Sequence, residues 1–274
     1  MANFQEENIK RYPELSKIVQ RLQAITDEIT DTFNNKSKNN DWRRSKMPCH
    51  KNLLNYFLMT AIRQFDAISV LCSEGYGDCS LVILRSMLEN LISLKYIVLG
   101  EKQIEERAER FENYKWVDMK KQLTYWKNSK GVVQKDTQED ILSKEAIILS
   151  SVEDFKKRFN INNEREFRTW SGISIEEMAD RVNMSDAYNL MYRMCCLFSH
   201  PSFLGQQQGV TKNNDYTIFS TKPSFRNIEV NLMTAIHYLF EFLIIFDHLF
   251  NLCMLQKLKD FQLDAVRTFE KGTN

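Results

Sequence analysis

The sequence predicts an all-α protein, built as an antiparallel bundle of long helices. Only 8 Gly and 4 Pro occur among 274 residues, about a third of the roughly 12 % that ordinary usage gives. Turns consume these two residues, so their shortage favours long helices joined by few loops. Apolar residues also recur at helical spacing along most of the chain. Because 43 % of the residues are apolar, a sizeable core is expected and a disordered chain is excluded.

The first hundred residues are predicted to form three helices. Pro13 suits the first position of a helix, and apolar residues then mark one face over 13–35. Pro48 opens a second segment with an apolar stripe, which ends at the turn EGYGD. The next segment begins after this turn, with Asp78 as its predicted N-cap. The range 48–99 is therefore predicted to be a helical hairpin, the core of the bundle.

The middle of the chain is predicted to contain four further helices separated by polar breaks. Two charged helices are expected over 101–128 and 138–159, where aromatic and aliphatic residues interrupt the charges. Ser174 and Glu177 stand in the relation of a capping box, which predicts the start of a short helix. Another helix is predicted over 185–200, directly before a proline.

The C-terminal third is predicted to return to long helices. A small β-hairpin is expected first, near 209–220, where residues alternate around Asn213–Asn214. Helical spacing then continues over 226–269, with room for one break. No internal repeat or Gly/Ser linker divides the sequence, so residues 1–274 are predicted to form a single helical domain. The alternative is a loose split near 130 or 165.

The most apolar segment, 230–255, raises the question of a membrane span. Glu241, Asp247 and two histidines interrupt it, so it holds no run of 18 uncharged apolar residues. Such polar groups are costly inside a bilayer. The sequence therefore predicts a buried central helix and no membrane partner.

The six cysteines and the polar N-terminal residues predict a cytoplasmic protein without a cofactor. No CxxC pair occurs, and most cysteines lie in apolar runs, as expected of buried free thiols in a reducing compartment. The first residues lack the apolar core of a signal peptide. Cys49 and His50 are adjacent, but no further ligands stand near them at metal spacing, so no metal is predicted.

The first candidate site lies on the helix LVILRSMLENLISLKYI. Arg85, Glu89 and Tyr96 share one polar stripe, and Arg85 and Glu89 are four residues apart, so they can pair. A partly enclosed ion pair is weak evidence for stability and points to specificity or function. The alternative is an ordinary salt bridge between helices.

The second candidate site lies on SDAYNLMYRMCCLFSHPS. Arg193 and His200 are two helical turns apart on one face, with Asp186 and Asn189 along the same line, whereas Tyr192 belongs to the core-facing side. Arg can clamp a phosphate, and His can move a proton near neutral pH. Together they are sufficient for metal-independent RNA cleavage. The alternative is that His200 caps the helix and Arg193 pairs with Asp186 or Asn189.

Three short blocks carry a resemblance to known families. RSMLEN, WSGISIEEMA (which begins at Trp170) and YRMCCLFSHPS resemble, over about 50–205, a bacterial and phage-associated helical family of unknown function. Arg193 followed after six residues by His200 is similar to the signature of the HEPN superfamily. That resemblance implies a HEPN-like bundle, RNase activity in defence or toxin–antitoxin systems, and catalysis by Arg193 and His200 at a homodimer interface. Glu89 or Arg85 would then be supporting groups. The full set of predicted supporting or binding residues is Arg85, Glu89, Tyr96, Asp186, Asn189 and Trp170.

Two functions remain open from the sequence. The first is an RNA-cleaving defence or toxin effector, acting as a homodimer and controlled by a protein partner or antitoxin. The second is a non-catalytic module that binds a protein or a ligand, in which both arginine-containing groups are structural or recognition elements. The net charge of +1 excludes a strongly basic nucleic-acid platform and restricts RNA chemistry to a small local site.

Overall fold

A computed structural model gives the architecture of the chain. It describes residues 2–39, 47–128, 139, 142–163, 167–200, 210–212, 217–219 and 222–272. Within these ranges the chain is predominantly helical, and the helices pack around an extensive apolar core. The prediction of an all-α bundle is therefore confirmed.

Within the described ranges the structure gives bounds for twelve helices, which are numbered in chain order. They are α1 (Ala2–Arg11), α2 (Pro13–Asn39), α3 (Cys49–Ser73), α4 (Gly77–Val98), α5 (Ile104–Asn113), α6 (Lys115–Asn128), α7 (Glu145–Arg158), α8 (Ile175–Arg181), α9 (Ser185–Ala187), α10 (Arg193–Ser199), α11 (Ile228–Phe250) and α12 (Leu255–Gly272). A 3₁₀ turn precedes α5, and a π-helical segment, Tyr188–Tyr192, joins α9 directly to α10.

Helix α11 is the centre of the bundle. It packs against α2, α3, α4 and α12, and most of its circumference is buried. Its length and composition would also allow it to cross a membrane, but 56 % of its most apolar window is covered by the rest of the protein. A half-buried salt bridge of 2.6 Å joins Lys95 of α4 to Glu241 of α11. The helix thus has the position that the sequence predicts for 230–255.

The helical hairpin predicted over 48–99 is present as α3 and α4, but its predicted N-cap is wrong. Helix α4 begins at Gly77, and no side chain caps its first turn. Asp78 lies inside that turn, where its carboxylate accepts a 2.5 Å hydrogen bond from Asn227 and lies 3.8 Å from the Arg226 guanidinium. The Asp78 carboxylate therefore connects α4 to the segment before α11 and does not cap the backbone N–H groups in the first turn of α4.

Close packing at Gly77 fixes the start of α4 against α11. A Cβ atom at this position would lie 2.3 Å from the carbonyl oxygen of Arg226, so only glycine fits without displacing backbone. The fully buried Asn231 of α11 donates to the Gly77 carbonyl at 2.7 Å and to the Ser80 hydroxyl at 2.8 Å. These contacts set the position of α4, the helix that carries the first candidate site.

The remaining elements follow the predictions with shifts in their bounds. The capping box of Ser174 and Glu177 is present at the start of α8. The helix predicted over 101–128 is divided at Tyr114. The hydroxyl of Tyr114 donates hydrogen bonds to the backbone carbonyl oxygens of residues 167 and 168. Two antiparallel strands, β1 (Val210–Lys212) and β2 (Thr217–Phe219), lie where the hairpin is predicted, and the turn around Asn213–Asn214 lies outside the described residues.

A small second cluster of apolar side chains packs α6 and α7 together. It consists of Tyr114, Val117, Phe155 and Ile161. Trp170 contacts both this cluster and the main core. The indole therefore connects the α6–α7 pair to the bundle, next to the C-terminal end of α4.

Candidate functional site

Arg85 lies at the centre of a polar cluster between α4 and α10. The neighbouring leucines of α4 point into the core, whereas the Arg85 side chain is 20 % exposed and reaches the C-terminal end of α10. Helices α4 and α10 pack directly on each other. The two stretches that the sequence singled out are therefore in contact.

Each nitrogen of the Arg85 guanidinium has a protein partner. Nε donates to Oε1 of Glu89 at 3.1 Å, and Nη2 donates to the hydroxyl of Tyr192 at 2.9 Å. Nη1 donates to Oγ of Ser199 at 3.0 Å and lies 2.8 Å from Nε2 of His200. These five residues form what we call the Arg85 cluster.

The π-helical segment places Tyr192 beneath Arg85. The wider π turn over Tyr188–Tyr192 stacks the two tyrosine rings at 4.6 Å, and the Arg85 guanidinium lies 4.7 Å from the centre of the Tyr192 ring. Single π turns recur at functional sites because they shift side chains out of the α-helical register. Tyr192 therefore holds Arg85 both through its hydroxyl and through its aromatic face.

Electrostatics keep two members of the cluster, Arg85 and Tyr192, protonated. Burial lowers the pKa of Arg85, but the hydrogen bond to Tyr192 and the nearby negative charge of Glu89 outweigh it and raise the pKa. Burial and the charge of Glu89 also raise the pKa of Tyr192, so this phenol stays protonated. Because a guanidinium only donates, its contact with His200 makes Nε2 of the imidazole the acceptor.

His200 leaves the helix just after α10. Its backbone is extended, with φ −115° and ψ 150°. The face shared by Arg193 and His200 in a regular helix is thus interrupted at His200 itself. The structure brings His200 to Arg85 on α4.

Arg193 lies apart from the Arg85 cluster. Its Nη2 donates to the Glu176 carboxylate of α8 at 3.2 Å, and the two side chains are 61 % and 51 % exposed. Its guanidinium also lies 5.8 Å from the Tyr188 ring. Asp186 and Asn189 are exposed, and the carboxylate that pairs with Arg193 is that of Glu176.

Two other predicted residues lie at the far end of α4. Tyr96 is eleven residues beyond Arg85, which corresponds to about 16 Å along the helix. Its ring meets Trp170 edge to face, with centroids 5.9 Å apart. Tyr96 and Trp170 are thus neighbours, in a place separate from the Arg85 cluster.

Sequence reasoning missed two members of the cluster. Helical spacing predicts that Tyr192 faces the core, and Tyr192 does pack against the core while its hydroxyl reaches Arg85. Ser199 precedes His200 directly in the block YRMCCLFSHPS, which was the available signal. In the described part of the chain, no three His, Cys, Asp or Glu side chains are grouped so that they could hold a metal ion.

A family model matches the central part of the chain. A model described as a family of unknown function (DUF5677) matches residues 51–217, which is more than half of the chain. The matched range contains the whole Arg85 cluster, and it agrees with the first of the two resemblances noted in the sequence. No curated protein and no solved structure matches the chain.

Proposed function

The chain belongs to the family of unknown function DUF5677, and from its own residues we propose that it cleaves RNA without a metal ion at the Arg85 cluster. The observation that carries the proposal is the 2.8 Å contact between the Arg85 guanidinium and Nε2 of His200. This contact joins a phosphate-binding group to a proton-transfer group, and His200 is exposed to solvent.

The reaction requires one phosphate clamp and one base. As the phosphate enters, its oxygens replace Ser199 and His200 as partners of Nη1, while Glu89 and Tyr192 continue to hold the guanidinium. His200 then takes the proton of the 2′-hydroxyl, and the 2′-oxygen attacks the adjacent phosphorus. The bond from phosphorus to the 5′-oxygen breaks, and that oxygen takes a proton from solvent. Arg85 stabilises the charge that develops on the phosphate.

The proposal changes the assignment that the HEPN resemblance implies. That resemblance pairs His200 with Arg193, whereas the contacts favour Arg85 as the clamp and leave Arg193 in an exposed pair with Glu176. A homodimer remains part of the proposal. It rests on the HEPN resemblance, which implies a homodimer interface.

The biological setting also remains part of the proposal. We place the activity in the cytoplasm, in a bacterial defence or toxin system with a protein partner or antitoxin that controls it. The HEPN resemblance supports this setting, and the six free cysteines fit a reducing compartment.

Expression in bacterial cells tests the proposal. The wild-type protein is expected to slow growth and fragment total RNA, and His200→Ala is expected to abolish both effects. Arg193→Ala is the matched control, because it removes an exposed arginine from α10, the helix that ends directly before His200, and it should behave like wild type. If the wild type leaves RNA intact in isolation and under its natural stress trigger, the proposal is wrong.

A non-catalytic binding module is the second candidate, and the bonding of Arg85 favours it. Every guanidinium nitrogen already has a partner within the chain, which is the arrangement of a structural link between α4 and α10. In that case Arg85→Lys would lower the free energy of unfolding, and no form of the protein would cleave RNA. The growth and RNA measurements therefore separate the two candidates.

A further inference from the structure

A second group of arginines surrounds a pocket beyond the C-terminal half of α4. Arg107 and Arg110 of α5 and Arg181 of α8 line it together with Tyr96 and Trp170, and its volume is about 210 Å³. We call it the arginine pocket. It shares no residue with the Arg85 cluster.

The three guanidinium groups carry no ion-pair partner within the described part of the chain. Arg107 donates to the backbone carbonyls of Tyr96 and Leu99 and to the side-chain oxygen of Gln103. Arg181 makes a long hydrogen bond of 3.4 Å to the Tyr96 hydroxyl. These partners are neutral, so none of them offsets the positive charge of the guanidinium groups.

Arg110 has a donor that nothing in the described residues satisfies. Its Nε atom is buried and has no hydrogen-bond partner. The guanidinium lies against Gly172, where a Cβ atom would be 2.8 Å from Nη2 and where φ is +76°. Buried donors are nearly always paired in folded proteins, so the chain leaves the Arg110 guanidinium incompletely satisfied, and its outer nitrogens at the pocket remain able to bind an acceptor.

Aromatic contacts hold two of the arginines in place. The Arg107 guanidinium lies 4.6 Å from the centre of the Tyr96 ring, and that of Arg181 lies 5.9 Å from it. Trp170 meets the same ring at its edge. The Tyr96 ring is therefore already in contact with two guanidinium groups and is not free to stack on a ligand. What the pocket offers a ligand is N–H donors and positive charge.

Charge and size together select a compact anion. Three guanidinium groups and the carboxylate of Glu106 surround the pocket, which leaves an excess of about two positive charges. A phosphate monoester carries about −1.5 to −2 at neutral pH and has three acceptor oxygens. The volume is below the roughly 300–1,000 Å³ of sites for larger ligands, so it suits a phosphate group with little attached to it.

We propose that the arginine pocket binds a phosphate group, either inorganic phosphate or the terminal phosphate of a small organic monoester. Arg110 and Arg181 supply free N–H donors. Arg107 supplies positive charge, and its own donors bind the carbonyl oxygens at the C-terminal end of α4. The pocket is separate from the Arg85 cluster, and the proposal does not depend on RNA cleavage.

Calorimetric titration of the whole protein at constant ionic strength tests this proposal. The probes are inorganic phosphate, adenosine 5′-monophosphate and adenosine. Inorganic phosphate, adenosine 5′-monophosphate or both should bind. The comparison of these two affinities shows whether the pocket binds inorganic phosphate or the phosphate of a monoester. Adenosine should not bind. If neither phosphate compound binds at millimolar concentration, the proposal is wrong.

Two variants locate the site. Arg181→Gln should weaken phosphate binding about tenfold or more, because one charge-assisted hydrogen bond is lost. Arg63→Gln, on the exposed side of α3, is the matched control and should bind like wild type. Equal affinity in the two variants would overturn the assignment. Phosphate should also raise the melting temperature of the wild type and of His200→Ala alike, so the result is independent of the cleavage activity.

Discussion

The link between Arg85 and Tyr192 can be measured by a double-mutant cycle. Arg85→Met keeps much of the aliphatic volume and removes the guanidinium. Tyr192→Phe removes the hydroxyl that accepts from Nη2 at 2.9 Å, and it keeps the ring that lies 4.7 Å from the guanidinium carbon. The cycle therefore isolates the hydrogen bond from the cation–π contact.

The structure sets the expected size of this coupling. A hydrogen bond to a charged group contributes about 1.5–3 kcal/mol, and the Arg85 side chain is only 20 % exposed. Because the cation–π contact survives in the Phe variant, the cycle measures the hydrogen bond alone, and we expect a coupling energy of about 1.5–3 kcal/mol. The control pair is Arg193 and Glu176, which are 61 % and 51 % exposed. Its coupling should stay below about 0.5 kcal/mol.

Urea unfolding followed by circular dichroism provides the assay. The free energy of unfolding is compared among variants whose slope against urea concentration is the same as that of the wild type. With an unchanged slope, the coupling energy reflects the folded state. Equal couplings for the two pairs, or a value below about 0.5 kcal/mol for Arg85 and Tyr192, would refute the account of the cluster as a tightly held site.

Three further predictions concern the fold around the sites. Gly77→Ala should lower the free energy of unfolding by about 1–3 kcal/mol, measured by urea unfolding, because its Cβ would lie 2.3 Å from the Arg226 carbonyl oxygen. Burial raises the pKa of Glu105, but hydrogen bonds from a histidine ring and two backbone N–H groups outweigh it and lower the pKa below the usual value of a glutamate. The contribution of this group to stability is complete above that usual value and is lost as the pH falls through the lowered pKa, so Glu105→Gln should flatten this acid dependence in unfolding measurements. A thiol reagent at pH 8 should modify Cys79 and Cys253 first, because both are exposed. Burial raises the pKa of the thiols at positions 49, 72 and 195, so fewer of them are in the reactive thiolate form. Mass spectrometry of the modified peptides gives the order of modification, and a different order would contradict the prediction.

Much of the fold could be predicted because its signals are local. Helical spacing and Pro13 predict α2, and the turn EGYGD separates α3 from α4 close to where the structure does. The first helix, Ala2–Arg11, could not be predicted in this way, because its sequence is polar. Its position depends on distant contacts, such as the stacking of Phe4 on Phe225 at 4.6 Å.

The candidate site was only partly predictable. Arg85 and Glu89 could be paired from their spacing, and His200 stood out by its chemistry. The partner of His200 could not be found from spacing, because the stripe with Arg193 assumes a regular helix, whereas a π turn precedes Arg193 and the chain becomes extended at His200. Contacts between helices, here α4 with α10, lie beyond any periodicity argument.

The most direct test of the central claim is cleavage of a short oligoribonucleotide by the purified protein in excess EDTA. We predict fragments that end in a 2′,3′-cyclic phosphate and a 5′-hydroxyl, and no cleavage where the 2′-hydroxyl is replaced by hydrogen. His200→Ala and Arg85→Lys should each reduce the rate by about 10²-fold or more, whereas Arg193→Ala should retain it. An intact oligonucleotide with the wild type, or a rate that is unchanged in His200→Ala, would contradict the claim that Arg85 and His200 act together on RNA.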